Sequence, residues 1–387
     1  MTEKLFYENS HLAEFDAAVT ECRQKGECFA VELDRTAFFP EGGGQYADTG
    51  TLGGVPVLDV QERGGHILHM TEESFEIGTL VKGKIDWSER FMKMQQHTGE
   101  HIVSGIVHGR FGYNNVGFHL GSEDCTMDFD GEISREELAE IELEANRAVW
   151  KNLEVQTLYP SKEELAHIEY RSKIEIEGQV RIIVIPGYDT CACCAPHVEC
   201  TGEIGVIKLV NMQRYKGGVR VTMLCGIRAL ADYAVKQQEA EAISAMLCAK
   251  INETSEAVAH LKEENAALKY ALTEKERKLT ECLAETVPDG EEAVCMFPDE
   301  IGGDSMRMLM NRVLDRGHRL CAVFHGDDES GYRYVIGSRN MDMRAFVKDF
   351  NAEFSGRGGG KPEMVQGTAC GGREEICRWI LEKAGDR

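Results

Sequence analysis

The sequence has too little positive charge for a general nucleic-acid coat. It holds 43 Lys and Arg against 66 Asp and Glu, a formal net charge of −23. Phosphate contacts require basic side chains, so any RNA binding must rest on local patches and on the C-terminal segment. No apolar run reaches 18 residues, which excludes a membrane-spanning helix. The opening stretch, MTEKLFYENSHLAEFD, carries scattered acids and no apolar core, so no secretion signal is expected. There is neither a tandem repeat nor a long low-complexity segment. Neither Pro nor Gly occurs between Arg228 and Val287, and nothing there breaks a helix by composition. The 14 cysteines, in a chain of this length without a secretion signal, read as reduced thiols and metal ligands, with a cytoplasmic location expected.

What is present divides the chain. A length of 387 residues suggests two or three domains. Residues 1–90 are rich in alternating apolar and polar runs (CFAVELDRTAFF, VPVLDVQE, HILHM, TLVKGKIDW) separated by Gly-rich turns. They predict a small β-barrel or strongly curved sheet. From Glu89 the period becomes helical and predicts a helix ending near Gly112. Ser134 with Glu137 three residues on has capping-box spacing and opens a second helix to about Asn152. VRIIVIPG predicts a strand, and VIKLVNMQRYKGGVRVTMLCG a strand pair about Lys-Gly-Gly. Residues 91–226 thus form an α+β core.

In residues 227–287, Leu247, Ile251, Thr254, Val258, Leu261, Leu268, Leu272 and Leu279 fall on a 4-3 spacing, with Asn265 and Lys275 in the same seam. This predicts one long coiled-coil helix packing on another helix of this chain or of a partner. Residues 288–387 alternate strand and helix patterns and predict an α/β domain. The expected architecture is therefore α+β multidomain.

The chemistry concentrates in two clusters. His97 and His101 are four apart on a predicted helix and share one face, so both imidazoles can reach one metal. Cys191, Cys193, Cys194 and His197 lie together after the VRIIVIPG strand. Two histidines plus a Cys/His pair supply four ligands suited to one zinc ion per chain. Cys193 leaves three residues before His197, while Cys191 and Cys194 are not excluded by spacing. The Gly42-Gly43-Gly44-Gln45 loop would let backbone approach a ligand closely. It lacks GxxxxGK[ST] and is no nucleotide loop. Gly358-Gly359-Gly360-Lys361 fails that pattern too, because Pro362 follows the lysine. With Arg357 it suits a phosphate-binding loop.

These motifs, in order, resemble the editing domain of alanyl-tRNA synthetases and the free-standing AlaX-type editing proteins. The resemblance rests on Arg35 to Gln45 followed by Asp48-Thr49-Gly50, on His97 to His101, on Cys193 to His197, on Thr201 to Gly205, and on Gly217 to Arg220. Ser355 to Gly367 is similar to the Gly-rich signature of the DHH-associated domain that ends the longest AlaX proteins. The resemblance implies zinc held by His97, His101, Cys193 and His197. It implies hydrolysis of the ester on mischarged tRNA(Ala), with Ser-tRNA(Ala) as expected substrate and Gly-tRNA(Ala) as a second. Thr98 is expected to contact the serine hydroxyl that alanine lacks. Gln45 and His119 are expected beside it, Gly42 to Gly44 against the substrate, and Arg357 to Lys361 on tRNA. A homodimer through residues 227–287 and the C-terminal domain is expected. The chain departs from the family at Cys194-Ala195-Pro196, where Gly-Gly-Thr is usual. No aminoacylation domain precedes the editing region, so the chain is not expected to charge tRNA.

Three other readings compete. His97-Thr98-Gly99-Glu100-His101 also fits the H-x-x-E-H zinc peptidase signature, with Glu100 as base and Cys193 and His197 idle. A second reading is a non-catalytic tRNA-binding module with structural zinc. A phosphoesterase of the DHH type lacks its Asp-His-His.

Overall fold

A computed structural model of the chain describes residues 1–122, 124–172 and 179–385. By internal contacts the chain forms two compact units, Met1–Glu241 and Ala242–Arg387.

The first unit begins with six strands that close into a ring: Glu14–Lys25, Cys28–Leu33, His66–Thr71, Val55–Arg63, Gly50–Leu52 and Leu80–Ile85, the last pairing back on the first. The strand Glu14–Lys25 was not among the runs that marked this region as β. The strands alternate, and inward positions such as Phe15, Val19, Val31, Val60, Ile67 and Val81 fill the interior. His69 is buried there. Its Nδ1 meets Val31 O at 3.0 Å and its Nε2 meets Thr36 Oγ1 at 2.8 Å. Burial pushes its pKa down to about 4, so both ring nitrogens are used by a neutral imidazole.

An antiparallel four-stranded sheet follows, in the order Ile207–Tyr215, Gly218–Cys225, Cys125–Phe129, Asn115–Leu120. The turn in the first pair is Lys216-Gly217, both with positive φ, as a two-residue hairpin of this hand requires. Helices Trp87–Phe111 and Arg135–Lys151 pack on this sheet through Ile102, Val103, Val107, Ile141, Ala145 and Val149. The first is capped by Asp86 and ends at Gly112 in the left-handed region, and the second starts with a complete Ser134/Glu137 capping box. A smaller sheet, Gln156–Leu158, Ile182–Ile185 and Asp189–Ala192, carries the cysteine-rich segment.

One buried ion pair ties the ring to the helix that bears two of the predicted ligands. Asp48 and Arg90 are 1% and 0% exposed. Asp48 Oδ2 accepts from Phe39 N at 2.7 Å and from Arg90 Nε at 2.9 Å, and from Arg90 Nη2 as well. Arg90 also donates to Ala37 O at 2.6 Å and Ser10 O at 3.0 Å. Lys93, also fully buried, donates to Ala47 O at 2.7 Å and sits 3.8 Å from the Tyr46 ring centroid.

The segment 227–287 departs from the expected single helix. Helix Gly226–Leu247 ends, a 3₁₀ turn occupies Ile251–Glu253, and a second helix runs Thr254–Glu285. No Gly or Pro causes the break. Cys248 adopts φ 51°. Its N–H bonds Ala245 O and the next N–H, of Ala249, bonds Ser244 O, which is a Schellman termination built on a non-glycine residue. Only the end of the second helix is covered. Leu279, Leu283 and Ala284 pack with Met306, Leu309 and Val313 of helix Asp304–Asp315. Leu261, Leu268 and Leu272, from the predicted seam, are exposed within the chain.

The second unit is a five-stranded sheet in the order Ala293–Met296, Leu320–Asp327, Gly331–Ser338, Met364–Ala369, Arg357–Lys361, with the first pair parallel and the others antiparallel. One face buries Phe324 against Phe346, Phe350 and Ile380, and the other buries Val323 against Leu309 and Val313. Among the described residues no helix is long and apolar enough to cross a membrane.

Asp48→Ala strands Arg90 and Lys93 as buried cations. We expect a loss of about 3–5 kcal/mol of stability, read as a lowered midpoint for the first unit in urea unfolding followed by circular dichroism.

Candidate metal centre

Helix Trp87–Phe111 places His97 and His101 on one buried face. Strand Asp189–Ala192 leads into the segment that presents Cys193 and His197. The ligand atoms of His97, His101, Cys193 and His197 all lie within 4.8 Å of one another. His97 Nε2 and His197 Nε2 each lie 3.4 Å from Cys193 Sγ. A tetrahedral ion with bonds of about 2.0 Å to N and about 2.3 Å to S separates N from S by about 3.5 Å. Those two separations match a tetrahedral ion of zinc's size, and the other donor atoms lie in the same cluster.

The second shell fixes each ring. His97 Nδ1 meets Gln45 Oε1 at 3.1 Å, His101 Nδ1 meets Asp189 Oδ2 at 2.9 Å, and His197 Nδ1 meets Thr98 Oγ1 at 3.1 Å. With Nδ1 engaged in every ring, Nε2 is the atom left for the common point, and a proton on Nδ1 donates outward. Asp189 is held in turn by Arg171, which donates Nε to Oδ1 at 2.8 Å and Nη2 to Oδ2 at 2.9 Å. Burial works against a Cys193 thiolate. The imidazoles of His97, His197 and His101 outweigh it and hold the thiol well below its usual pKa. Burial pushes His197 down to about 3. A thiolate and a neutral imidazole are the forms that ligate a metal.

The rival cysteines lie elsewhere. Cys191 is buried beside His101 and Asp189, and burial pushes its thiol pKa up. A cation among those three would face the Arg171 guanidinium that already neutralises Asp189. Cys194 lies beside the Gly-rich loop. A side chain at Gly43 would come 3.5 Å from Cys194 Sγ and 3.8 Å from His97 Cε1. Gly44, with φ +80°, has room for no Cβ, which would lie 2.6 Å from Phe118 O. The loop Gly42–Gln45 thus runs directly over the centre.

Two predicted residues are placed differently from expectation. Thr98 is fully buried, and its oxygen is occupied by His197 Nδ1 and by Val198 N at 3.3 Å. His119 is exposed, and its neighbour Phe118 meets His97 instead, ring to ring at 4.9 Å. Strand alternation puts adjacent side chains on opposite faces, so only one of the two can point inward. Arg357 to Lys361 form an exposed edge strand rather than a loop. Asp189, Arg171 and Arg181 were not anticipated. Arg181 donates Nη1 to Cys193 O at 2.9 Å and Ala195 O at 2.8 Å, bracing the segment that carries Cys193. Glu100, the would-be peptidase base, is 1% exposed. It accepts from Ser104 Oγ and Asn115 Nδ2, both at 2.6 Å, and Cys193 and His197 are not idle.

The chain thus has a His/Cys centre inside an α+β core, preceded in sequence by a ring of six strands and followed by an α/β unit. Three family models match in that order: tRNA synthetases class II (A) over residues 2–89, the threonyl and alanyl tRNA synthetase second additional domain over residues 180–222, and the DHHA1 domain over residues 290–383. The alanyl-tRNA editing protein AlaX-L of Pyrococcus horikoshii is 28% identical over 99% of this chain and 98% of its own length. Alanine–tRNA ligases also match. That of Halobacterium salinarum is 32% identical over 87% of this chain and 38% of its own length, and that of Methanococcus vannielii 29% over 97% and 43%. The chain spans less than half the length of these ligases. Its domain order and its match along nearly the whole of AlaX-L make it similar to the alanyl-tRNA editing proteins of the long AlaX type.

Cys193→Ala should abolish tight metal binding, whereas Cys191→Ala should leave it unchanged. Asp189→Asn should weaken it by about 10–100-fold. Competition with a chromophoric chelator measures all three, and the reverse pattern for the two cysteines would move the ion to His101, Asp189 and Cys191.

Proposed function

We propose that this chain is a trans-acting deacylase that hydrolyses the ester of mischarged tRNA(Ala), with Ser-tRNA(Ala) as main substrate and Gly-tRNA(Ala) as a second. The observation that carries the reading is the convergence of His97, His101, Cys193 and His197 on one point, each imidazole fixed through its Nδ1. A relative matched along nearly its whole length is named for editing alanyl-tRNA. In the reaction, water adds to the ester carbonyl carbon, the bond to the ribose oxygen breaks, and free amino acid and an intact tRNA 3′ end result.

The proposed ion is zinc, held by those four side chains, and when bound it supplies a positive charge that polarises the ester and fixes the terminal ribose. The residues around it divide the remaining work. Gln45 Oε1 orients His97, while Gln45 Nε2 is buried without a hydrogen-bond partner among the described residues. We assign that unpartnered donor the serine hydroxyl of the substrate. Thr98, whose oxygen is already engaged, we assign to holding His197 rather than to contacting serine. The Gly42–Gly44 backbone lies close to the centre because no side chain intervenes. Arg357 and Lys361, on an exposed edge strand, supply phosphate contacts to the body of the tRNA. A non-catalytic module would keep the fold and the metal but has no need of an unpaired buried donor beside them.

Deacylation assays on tRNA(Ala) carrying Ser, Gly or Ala test the reading. Wild type is expected to hydrolyse Ser-tRNA(Ala) fastest and to spare Ala-tRNA(Ala), and His97→Ala to fall to the uncatalysed rate. Equal background rates on all three substrates would refute the activity. Thr98→Val is expected to slow the Ser and Gly substrates by the same factor. A loss confined to the Ser substrate would return the serine contact to Thr98.

A further inference from the structure

A second group of metal-ligating side chains stands apart from the four of the centre. His11, in the segment before strand Glu14–Lys25, meets Glu199 and Glu203, which follow His197 in the chain. The ligand atoms of these three residues lie within 4.8 Å of one another. One imidazole and two carboxylates make a mixed nitrogen and oxygen donor set. The imidazole turns its preference toward transition cations and away from magnesium and calcium.

Hydrogen bonding fixes the state of the His11 ring. Ser10 Oγ donates its only proton to His197 O at 2.8 Å. It can therefore only accept from His11 Nδ1, 3.2 Å away, and the proton of a neutral ring sits on Nδ1. The bare nitrogen is then Nε2, which faces Glu203 Oε2 at 2.9 Å. A lone pair and a carboxylate oxygen repel at that distance unless a positive charge lies between them. Adjacent donors on an octahedral ion with bonds of about 2.1 Å are about 3.0 Å apart. Glu199 Oε1, 3.6 Å from Nδ1 of the same ring, adds a second negative charge. Among the described residues no Lys or Arg pairs with either glutamate.

Two of the three donors are also held from behind, as ligands of a metal are. The His11 ring rests against Trp87, with centroids 5.3 Å apart. Glu203 keeps its other oxygen on Cys200 N at 3.2 Å. Glu199 is exposed, so the remaining coordination positions are open to water.

We propose that His11 Nε2, Glu203 and Glu199 form a second divalent-cation site, for a transition ion such as Mn²⁺ or Zn²⁺. Ser10 joins this site to the metal centre. Its hydroxyl bonds the backbone of His197, and its carbonyl accepts from Arg90 Nη1 at 3.0 Å. An ion on His11 thus pins the N-terminal segment to the segment that presents His197. The site is independent of the deacylase reading.

Titrating Mn²⁺ into the full chain already carrying one equivalent of zinc tests the site, with free Mn²⁺ followed by electron paramagnetic resonance. Wild type is expected to bind one further ion per chain. His11→Ala and Glu203→Gln are each expected to weaken that binding by about ten-fold or more, while the first zinc is retained against a chelator. Glu199→Gln, at an exposed side chain, is expected to do the same and keeps the test open if another variant does not fold. No second ion at millimolar Mn²⁺ overturns the site and leaves His11 in an ion pair only. Unchanged Mn²⁺ binding in any folded variant overturns it as well.

Discussion

Arg90 and Asp48 meet in the interior of the first unit, and the geometry of the metal centre depends on them. Asp48 lies three residues after Gln45, and Arg90 lies seven residues, about two helical turns, before His97. The pair therefore fixes the Gly-rich loop against the helix that carries two histidines. Two buried ions are expensive to remove from water, and their mutual attraction compensates only with good geometry and further hydrogen bonds. Here Phe39 N, Ala37 O and Ser10 O supply those bonds. A hydrophobic pair of equal volume would hold the two elements together but would not fix their register. The directional contacts do, and Gln45 reaches His97 as a consequence.

Each imidazole receives its orienting partner from a different place. Gln45 comes from the loop over the centre, Asp189 from the small sheet, and Thr98 from the ligand helix itself. The centre is thus a meeting point of three elements, and its donor atoms are in place only when all three are folded. This explains what could be read from the sequence. His97 and His101 are four apart on one helix, and the Ser134 cap and the Lys216-Gly217 turn are local signals, so all were legible. Asp189 and Arg171 act on His101 from 88 and 70 positions away in the chain, where no periodicity points to them. The one available hint was that Arg181 and Asp189 bracket the buried run Ile182–Ile185, a costly place for a charge without a partner. His119 and Phe118 could not be separated by alternation alone. That strand pairs through an irregular register at Asp128 and Phe129, and only the three-dimensional pairing settles which side chain faces in. The helix break at Cys248 left no trace because its left-handed residue is not glycine.

The acidity of the chain is less of an obstacle to tRNA than its net charge suggests. At physiological ionic strength, exposed charges are screened beyond about 8 Å. What matters is the charge within that distance of the bound groups. Around the centre Asp189 is neutralised by Arg171 and Asp48 by Arg90, while Glu100 accepts hydrogen bonds from Ser104 and Asn115. The proposed binding of the acceptor end then relies on a metal's charge rather than on a basic surface, while phosphate contacts are left to isolated residues such as Arg357 and Lys361.

Gln45 joins the two halves of the proposed chemistry. Its amide is planar, so the direction of Oε1 toward His97 determines the direction of Nε2. If Nε2 meets the substrate, recognition of the serine hydroxyl and orientation of a metal ligand cannot vary separately. A glutamate at this position would keep the acceptor and lose the donor, and a shorter asparagine would withdraw both. Thr98 differs because its oxygen is already engaged by His197 and Val198, whereas the equally buried Gln45 Nε2 has no partner among the described residues. On the proposed reading, discrimination at this centre falls on a loop residue next to the Asp48–Arg90 pair, and on backbone that only glycine allows to approach so closely.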